Sequence, residues 1–257
     1  MKRNIKMILE YDGTRYYGWQ RLGNDTNTNT IQGKLEEVLS KMTGEEISVI
    51  GSGQTDAGVH ALGQTANFHA DCRKSCQEIR TYLSSYLPKD IFVYSVEDVP
   101  ERFHSRLSAS SKTYLYRIAK PDFPSVFDRK YTWQFPETLD LSSMRQAASV
   151  LIGVHDFKGF SSLKKTKKST VREIYSLDII ELEREIQIRI RGNGFLYNMV
   201  RIICGTLVDI GRGTLPQTAA AQILSSCDRK DAGITAPPQG LFLETVEYPE
   251  STLQMNH

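Results

Sequence analysis

Between Glu185 and Arg191 the chain reads Glu-Ile-Gln-Ile-Arg-Ile-Arg, so that Ile186, Ile188 and Ile190 are separated by Gln187, Arg189 and Arg191. Successive side chains of a strand point to opposite faces, and this spacing predicts a strand with one apolar face and one wet, partly basic face. Such a strand belongs in an antiparallel sheet open to water on one side. A parallel sheet, covered on both faces, would need a nearly continuous apolar run. Tyr175, Leu177 and Ile179 alternate in the same way just upstream, Ile180 apart.

Other segments have helical spacing. Ile31, Leu35, Val38, Leu39 and Met42 recur at that spacing, with Thr30 to cap the start and Gly44 to end it. Ser75 and Glu78 have the spacing of a capping box ahead of Ile79, Leu83 and Leu87, and Pro88 stops that helix. Asp140 caps a helix carrying Leu141, Met144, Ala148 and Leu151, closed by Gly153. Met199, Ile202, Ile203 and Ile210 mark another, and Pro216 suits the first turn of a last one. Short strands are expected at residues 5–11, 47–50, 91–96 and 114–119. Few βαβ units of regular length result, so the expected fold is α+β. Two similar subdomains with mainly antiparallel sheets are expected, residues 1–120 and 121–257, linked near Pro121 to Pro136 with a catalytic cleft between them.

With 257 residues the chain can bury one large core or two smaller ones, and 40% hydrophobic with 24% charged residues is an ordinary globular balance. A net charge of +2 neither requires nor excludes a nucleic-acid partner; clustering of the cations matters more. One cluster is Lys164, Lys165, Lys167, Lys168 and Arg172, which by itself reads as a solvated loop. Cys72, Cys76, Cys204 and Cys227 form no repeated CxxC pairs, which implies reduced thiols in a cytoplasm. His69, Cys72 and Cys76 have no fourth ligand nearby, so no metal is expected. Lys2, Arg3 and Lys6 are followed only by Met7, Ile8 and Leu9 before acidic residues intervene, too short for a signal peptide. No apolar run approaches the ~20 residues that span a bilayer.

The stretch richest in chemistry is Gly51-Ser52-Gly53-Gln54-Thr55-Asp56-Ala57-Gly58-Val59-His60-Ala61. Glycines let a backbone turn sharply and a substrate approach closely, and a carboxylate on such a loop can serve as nucleophile or general base. Composition alone would make it a plain Asp-containing turn. His60 could be a base but more simply holds the loop together. His155 and Asp156 look like a pair, yet adjacent strand residues face opposite ways.

Further blocks accompany that loop: Tyr11-Asp12-Gly13-Thr14, Gly18-Trp19-Gln20, Gly63-Gln64, Phe103-His104-Ser105-Arg106, Lys112-Thr113-Tyr114-Leu115-Tyr116 and Gly153-Val154-His155-Asp156-Phe157. Phe195-Leu196-Tyr197-Asn198-Met199-Val200-Arg201, Gly205-Thr206-Leu207 and Gly211-Arg212-Gly213 follow. In content and order these blocks resemble the tRNA pseudouridine synthases of the TruA family, over nearly the whole chain. The resemblance implies an isomerase that converts uridine to pseudouridine in the tRNA anticodon stem-loop, without metal or organic cofactor, in the cytoplasm, as a homodimer gripping one tRNA. It makes Asp56 the nucleophile, with attack on ribose, attack on the base and a path through a glycal all left open. It places Tyr114 on the target base; as a bare strand residue Tyr114 would read as core. It puts Arg201 beside the carboxylate, where a cation lowers the carboxyl pKa by roughly 1–3 units. The family has an Arg two positions before the Asp that helps hold the flipped base; here Gln54 stands instead, without charge or planar fork. Arg106, Lys112, Lys164, Lys165, Lys167 and Lys168 are candidate phosphate contacts. The alternatives are a tRNA-binding paralogue with little catalysis, motivated by Gln54, and an Asp-dependent hydrolase of a small molecule.

Overall fold

The computed structural model describes residues 2–21, 29–122, 126–163 and 168–254. In chain order these form β1 (Arg3–Tyr11), α1 (Ile31–Thr43), β2 (Val49–Gly51), β3 (His60–Ala70), α2 (Cys76–Tyr86), β4 (Ile91–Val99) and β5 (Ser111–Ala119). There follow β6 (Trp133–Gln134), α3 (Leu141–Ser149), β7 (Gly153–Asp156), β8 (Val171–Glu181), β9 (Glu185–Gly192), α4 (Met199–Gly211), α5 (Ala219–Ser226), β10 (Leu241–Glu247) and α6 (Glu250–Leu253). The strands pair mostly antiparallel, as an α+β chain should, and no described helix is long and apolar enough to cross a membrane.

Two compact units emerge: Met1–Ser110 with Phe242–His257, and Ser111–Leu241. This differs from the expected division at residues 120 and 121, for two reasons. β5 pairs with β9 from Lys112 to Ala119, so residues before 120 join the second unit. β10 returns to the first unit and lies parallel to β3, with Phe242 opposite His60 and Leu243 opposite Ala61.

In the first unit β3 has β1 along one side, and β2 and β10 along the other, while β4 flanks β1. The helices form where spacing and caps predict them. Thr30 accepts the Gly33 N–H, Gly44 ends α1 at φ +78°, and the Ser75–Glu78 capping box opens α2. Ile31, Leu35, Leu39, Ile79 and Leu83 are fully buried, and α2 packs on β4. β3 has no counterpart in the sequence reading. All but two of its residues are buried, including Gln64, Thr65 and Asn67, so neither an alternating pattern nor an apolar run marks it.

In the second unit β9 lies between β5 and β8, β7 flanks β8, and β6 pairs with the end of β5. β9 alternates as expected: Ile186, Ile188 and Ile190 are buried while the residues between them are half-buried. α4 is buried on all sides except Arg201, the mark of a helix inside a core. It packs against α3 and α5. Pro216 does not open α5: its carbonyl accepts the Ala219 N–H in the turn before the helix.

Each buried isoleucine of β9 contributes roughly 1.5–3 kcal/mol. Ile188→Ala should therefore cost about 3 kcal/mol of stability, while Gln187→Ala on the wet face should stay within about 0.5 kcal/mol, as read from urea unfolding midpoints. Equal losses would contradict the assigned register.

Candidate active site

Asp56 follows β2 on a loop whose backbone is tied down at several points. Gln64 of β3, fully buried, reaches back to the loop's first turn. Its Oε1 accepts from the Ser52 hydroxyl at 2.6 Å and the Gly53 N–H at 3.3 Å, and its Nε2 donates to the Gly53 carbonyl at 3.0 Å. One residue after Gln54, the Thr55 hydroxyl meets Tyr11 Oη at 2.7 Å, and the Thr55 carbonyl accepts the Trp19 N–H at 2.9 Å. That last approach requires glycine at position 18. Gly18 has φ +97°, and a Cβ there would stand 2.5 Å from the Thr55 oxygen. Val59 N–H then donates back to the Asp56 carbonyl at 3.1 Å, closing the turn. Within this frame Gln54 is exposed and Asp56 half-buried.

His60 braces the turn. Its Nδ1 accepts the Gly13 N–H at 3.0 Å, and its ring stacks on Phe242 at 4.7 Å. Asp12 Oδ1 lies 3.2 Å from the same nitrogen. A base role for His60 gains nothing from this arrangement. His155 and Asp156, both on β7, are likewise occupied locally, with the Ile152 carbonyl and the Lys158 N–H.

A second buried polar chain carries Arg106. Asn4 donates to the carbonyls of Pro100 and Phe103, Asn67 donates to Asn4 Oδ1 at 2.9 Å, and Ser105 N–H donates to Asn67 Oδ1 at 2.9 Å. Ser105 Oγ then donates to the Ile50 carbonyl at 2.6 Å, just ahead of the Asp56 loop. Tyr248 donates to the Ser105 carbonyl at 2.6 Å, and burial raises its hydroxyl above the usual tyrosine range, so it remains a protonated donor. Arg106 emerges exposed from this anchor.

The second unit holds the other candidates. Lys112 and Tyr114 lie two apart on β5 and so share a face, Lys112 half-buried and Tyr114 buried. The Tyr114 ring packs edge-on against Phe195 at 5.1 Å, which brings it to the segment leading into Arg201. Arg201, half-buried at the start of α4, donates from Nε to the Ala236 carbonyl at 2.8 Å and from Nη1 to Asn198 Oδ1 at 3.0 Å. Residues 233–236 run along α4: Ala236 N–H reaches the Arg201 carbonyl, Gly233 N–H reaches Thr206 Oγ1, and Ile234 N–H reaches Asp209 Oδ2. Gly205 has no side chain because a Cβ would overlap the Ile234 carbonyl. Tyr116, its hydroxyl pKa pushed well up by burial, donates to the Pro237 carbonyl at 2.8 Å. Lys168 is exposed; Lys164, Lys165 and Lys167 lie outside the described residues.

Among the described residues no three His, Cys, Asp or Glu side chains gather as a metal site. Cys76 instead meets Asp98 and Arg3, and His69 faces Glu101. Three residues escaped the sequence reading as individuals: Gln64, Asn67 and Asn198. The available signal was a polar side chain inside an otherwise buried strand, and an Asn where a helix begins.

The chain matches the tRNA pseudouridine synthase family over residues 7–107 and 147–249. The tRNA pseudouridine synthase A 2 of Bacillus cereus is 49% identical over 245 residues, covering 95% of this chain and 99% of that protein. The tRNA pseudouridine synthase A 1 of Clostridium tetani is 49% identical over 246 residues, covering 96% and 100%. The tRNA pseudouridine synthase A of a Thermoanaerobacter species is 45% identical over 246 residues, with the same coverage. Among solved structures, a chain of the archaeal box H/ACA sRNP Nop10–Cbf5 complex superposes on 80% of this chain with a TM-score of 0.36 at 9% identity; this chain spans 43% of that one. The matched spans enclose both the Asp56 loop and the turn that leads into Arg201, and the relatives align nearly end to end: this chain belongs to the tRNA pseudouridine synthase family.

Proposed function

We propose that this protein isomerises uridine to pseudouridine in the anticodon stem-loop of tRNA, with Asp56 as nucleophile. In that reaction the bond from ribose C1′ to uracil N1 breaks and a bond from C1′ to C5 forms. The proton leaves C5 and N1 ends protonated, so the product has the atoms of the substrate. The observation that carries the reading is the Asp56 loop itself, pinned at Gly53, Thr55 and Val59 while its carboxylate-bearing residue stays half-exposed. Catalysis favours such a group, because a nucleophile held in place has little freedom to lose on the way to the transition state.

The remaining roles follow the family resemblance. Tyr114 packs on the target base, and Arg201 keeps the Asp56 carboxylate ionised. A uridine stacked in RNA must be swung out first, at a cost of a few kcal/mol. Gln54, exposed two residues before Asp56, supports the extruded state by hydrogen bonding. Arg106, Lys112, Lys164, Lys165, Lys167 and Lys168 contact phosphates, in salt-sensitive and largely sequence-independent fashion. The protein acts in the cytoplasm as a homodimer and needs no metal or organic cofactor; these points also rest on the resemblance.

The test is to incubate the protein with unmodified tRNA and map pseudouridine, beside Asp56→Asn. Product from the native chain, and at least about 10³-fold less from the variant, is expected. Tight tRNA binding without product from the native chain would replace the enzyme by a binding paralogue. A second expectation concerns position 54. Gln54→Arg restores a guanidinium with five donors and should keep or raise turnover on the same tRNA; a large loss would refute the assignment of this position to the flipped base.

A further inference from the structure

Among the described residues two that are not glycine have positive φ, Asn198 at +60° and Cys227 at +54°. Cys227 closes α5, where a left-handed residue commonly ends a helix. Asn198 stands at the opposite kind of position, in front of α4. There a helix normally begins from an extended residue whose side chain accepts an N–H of the first turn. Asn198 has left-handed backbone angles and makes no such bond. Its carboxamide is turned to other partners: Oδ1 accepts from Arg201 Nη1 at 3.0 Å, and Nδ2 donates to Ser162 Oγ at 3.0 Å. The carbonyl of Asn198 still starts the helix, accepting the Ile202 N–H at 2.9 Å. The backbone departure therefore serves the side chain.

We propose that Asn198 is a positioning residue of the isomerase: through its carboxamide it sets the orientation of the Arg201 guanidinium. This rests on the reading of Arg201 given above. Ala236 meets the guanidinium at Nε. Asn198 meets it at Nη1, and Ser162 accepts from the same amide, which fixes the plane of the carboxamide. Backbone strain at a non-glycine residue persists where surrounding structure enforces it, and it gathers at functional sites.

Asn198→Gly separates this role from a purely structural one, because glycine accepts the left-handed angles without penalty while removing the amide. The expected result is an unchanged or higher Tm, KM for tRNA within about twofold, and kcat lower by about tenfold or more, since a small misplacement at a reacting centre is costly. Arg201→Met is measured beside it. If Arg201→Met loses kcat and Asn198→Gly does not, the positioning role is overturned while the reading of Arg201 stands. If Arg201→Met keeps kcat, that reading fails and the inference falls with it. A fall in kcat for Asn198→Gly that tracks a fall in Tm would assign Asn198 to the fold instead, and would also overturn the proposal.

Discussion

A loop keeps one conformation only if its own backbone polar groups are satisfied, and ahead of Asp56 the buried amide of Gln64 does this at Gly53. Ser52 Oγ and Gly53 N–H both donate to its oxygen, while its nitrogen donates to the Gly53 carbonyl. Leaving even one such buried group unpaired costs about 1–3 kcal/mol, so the three bonds together make this conformation of the loop strongly preferred. The ties at Thr55 then come from Tyr11 and Trp19, within the stretch from Tyr11 to Gln20.

The second unit solves a related problem with a different element. A guanidinium near the start of a buried helix needs its donors met. Arg201 donates to the Ala236 carbonyl and to the Asn198 carboxamide, at Nε and Nη1. Residues 233–236 can run this close to α4 because position 205 is glycine and because Thr206 and Asp209 accept their N–H groups. The Gly205-Thr206 pair of the sequence motif is thus the seat for the segment that positions Arg201.

Much of this was legible beforehand, and the parts that were not share a cause. The alternation of β9, the caps at Thr30, Ser75 and Asp140, and the apolar residues of α4 are local patterns, and each element formed where its pattern begins, although α3 stops at Ser149, short of Leu151, and Gly153 opens β7 instead of closing the helix. β3 and β10 left no such trace. β3 buries Gln64, Thr65 and Asn67 in hydrogen-bonded chains, and polar residues inside a strand disguise both of its usual signatures. β10 joins the first unit through a pairing with β3 far away in sequence, which no local pattern announces and which moves the unit boundary from residue 120 to Ser110 and Leu241. For the candidate site, the family motifs single out Asp56, Tyr114 and Arg201, while the bonds of Gln64 to the Asp56 loop and of Asn198 to Arg201 became visible only as geometry. Gln64 and Asn198 stood inside the quoted motifs, but nothing in their spacing distinguishes a side chain that clamps a loop from one that faces water.

The central claim is that Asp56 meets a uridine swung out of its helix. A structure of Asp56→Asn bound to unmodified tRNA tests it most directly. The account predicts one uridine extruded from the anticodon stem-loop, with its C1′ or ring carbons within about 3.5 Å of the side chain at position 56. A bound tRNA whose uridines all remain stacked, or an extruded base lying far from residue 56, would contradict it.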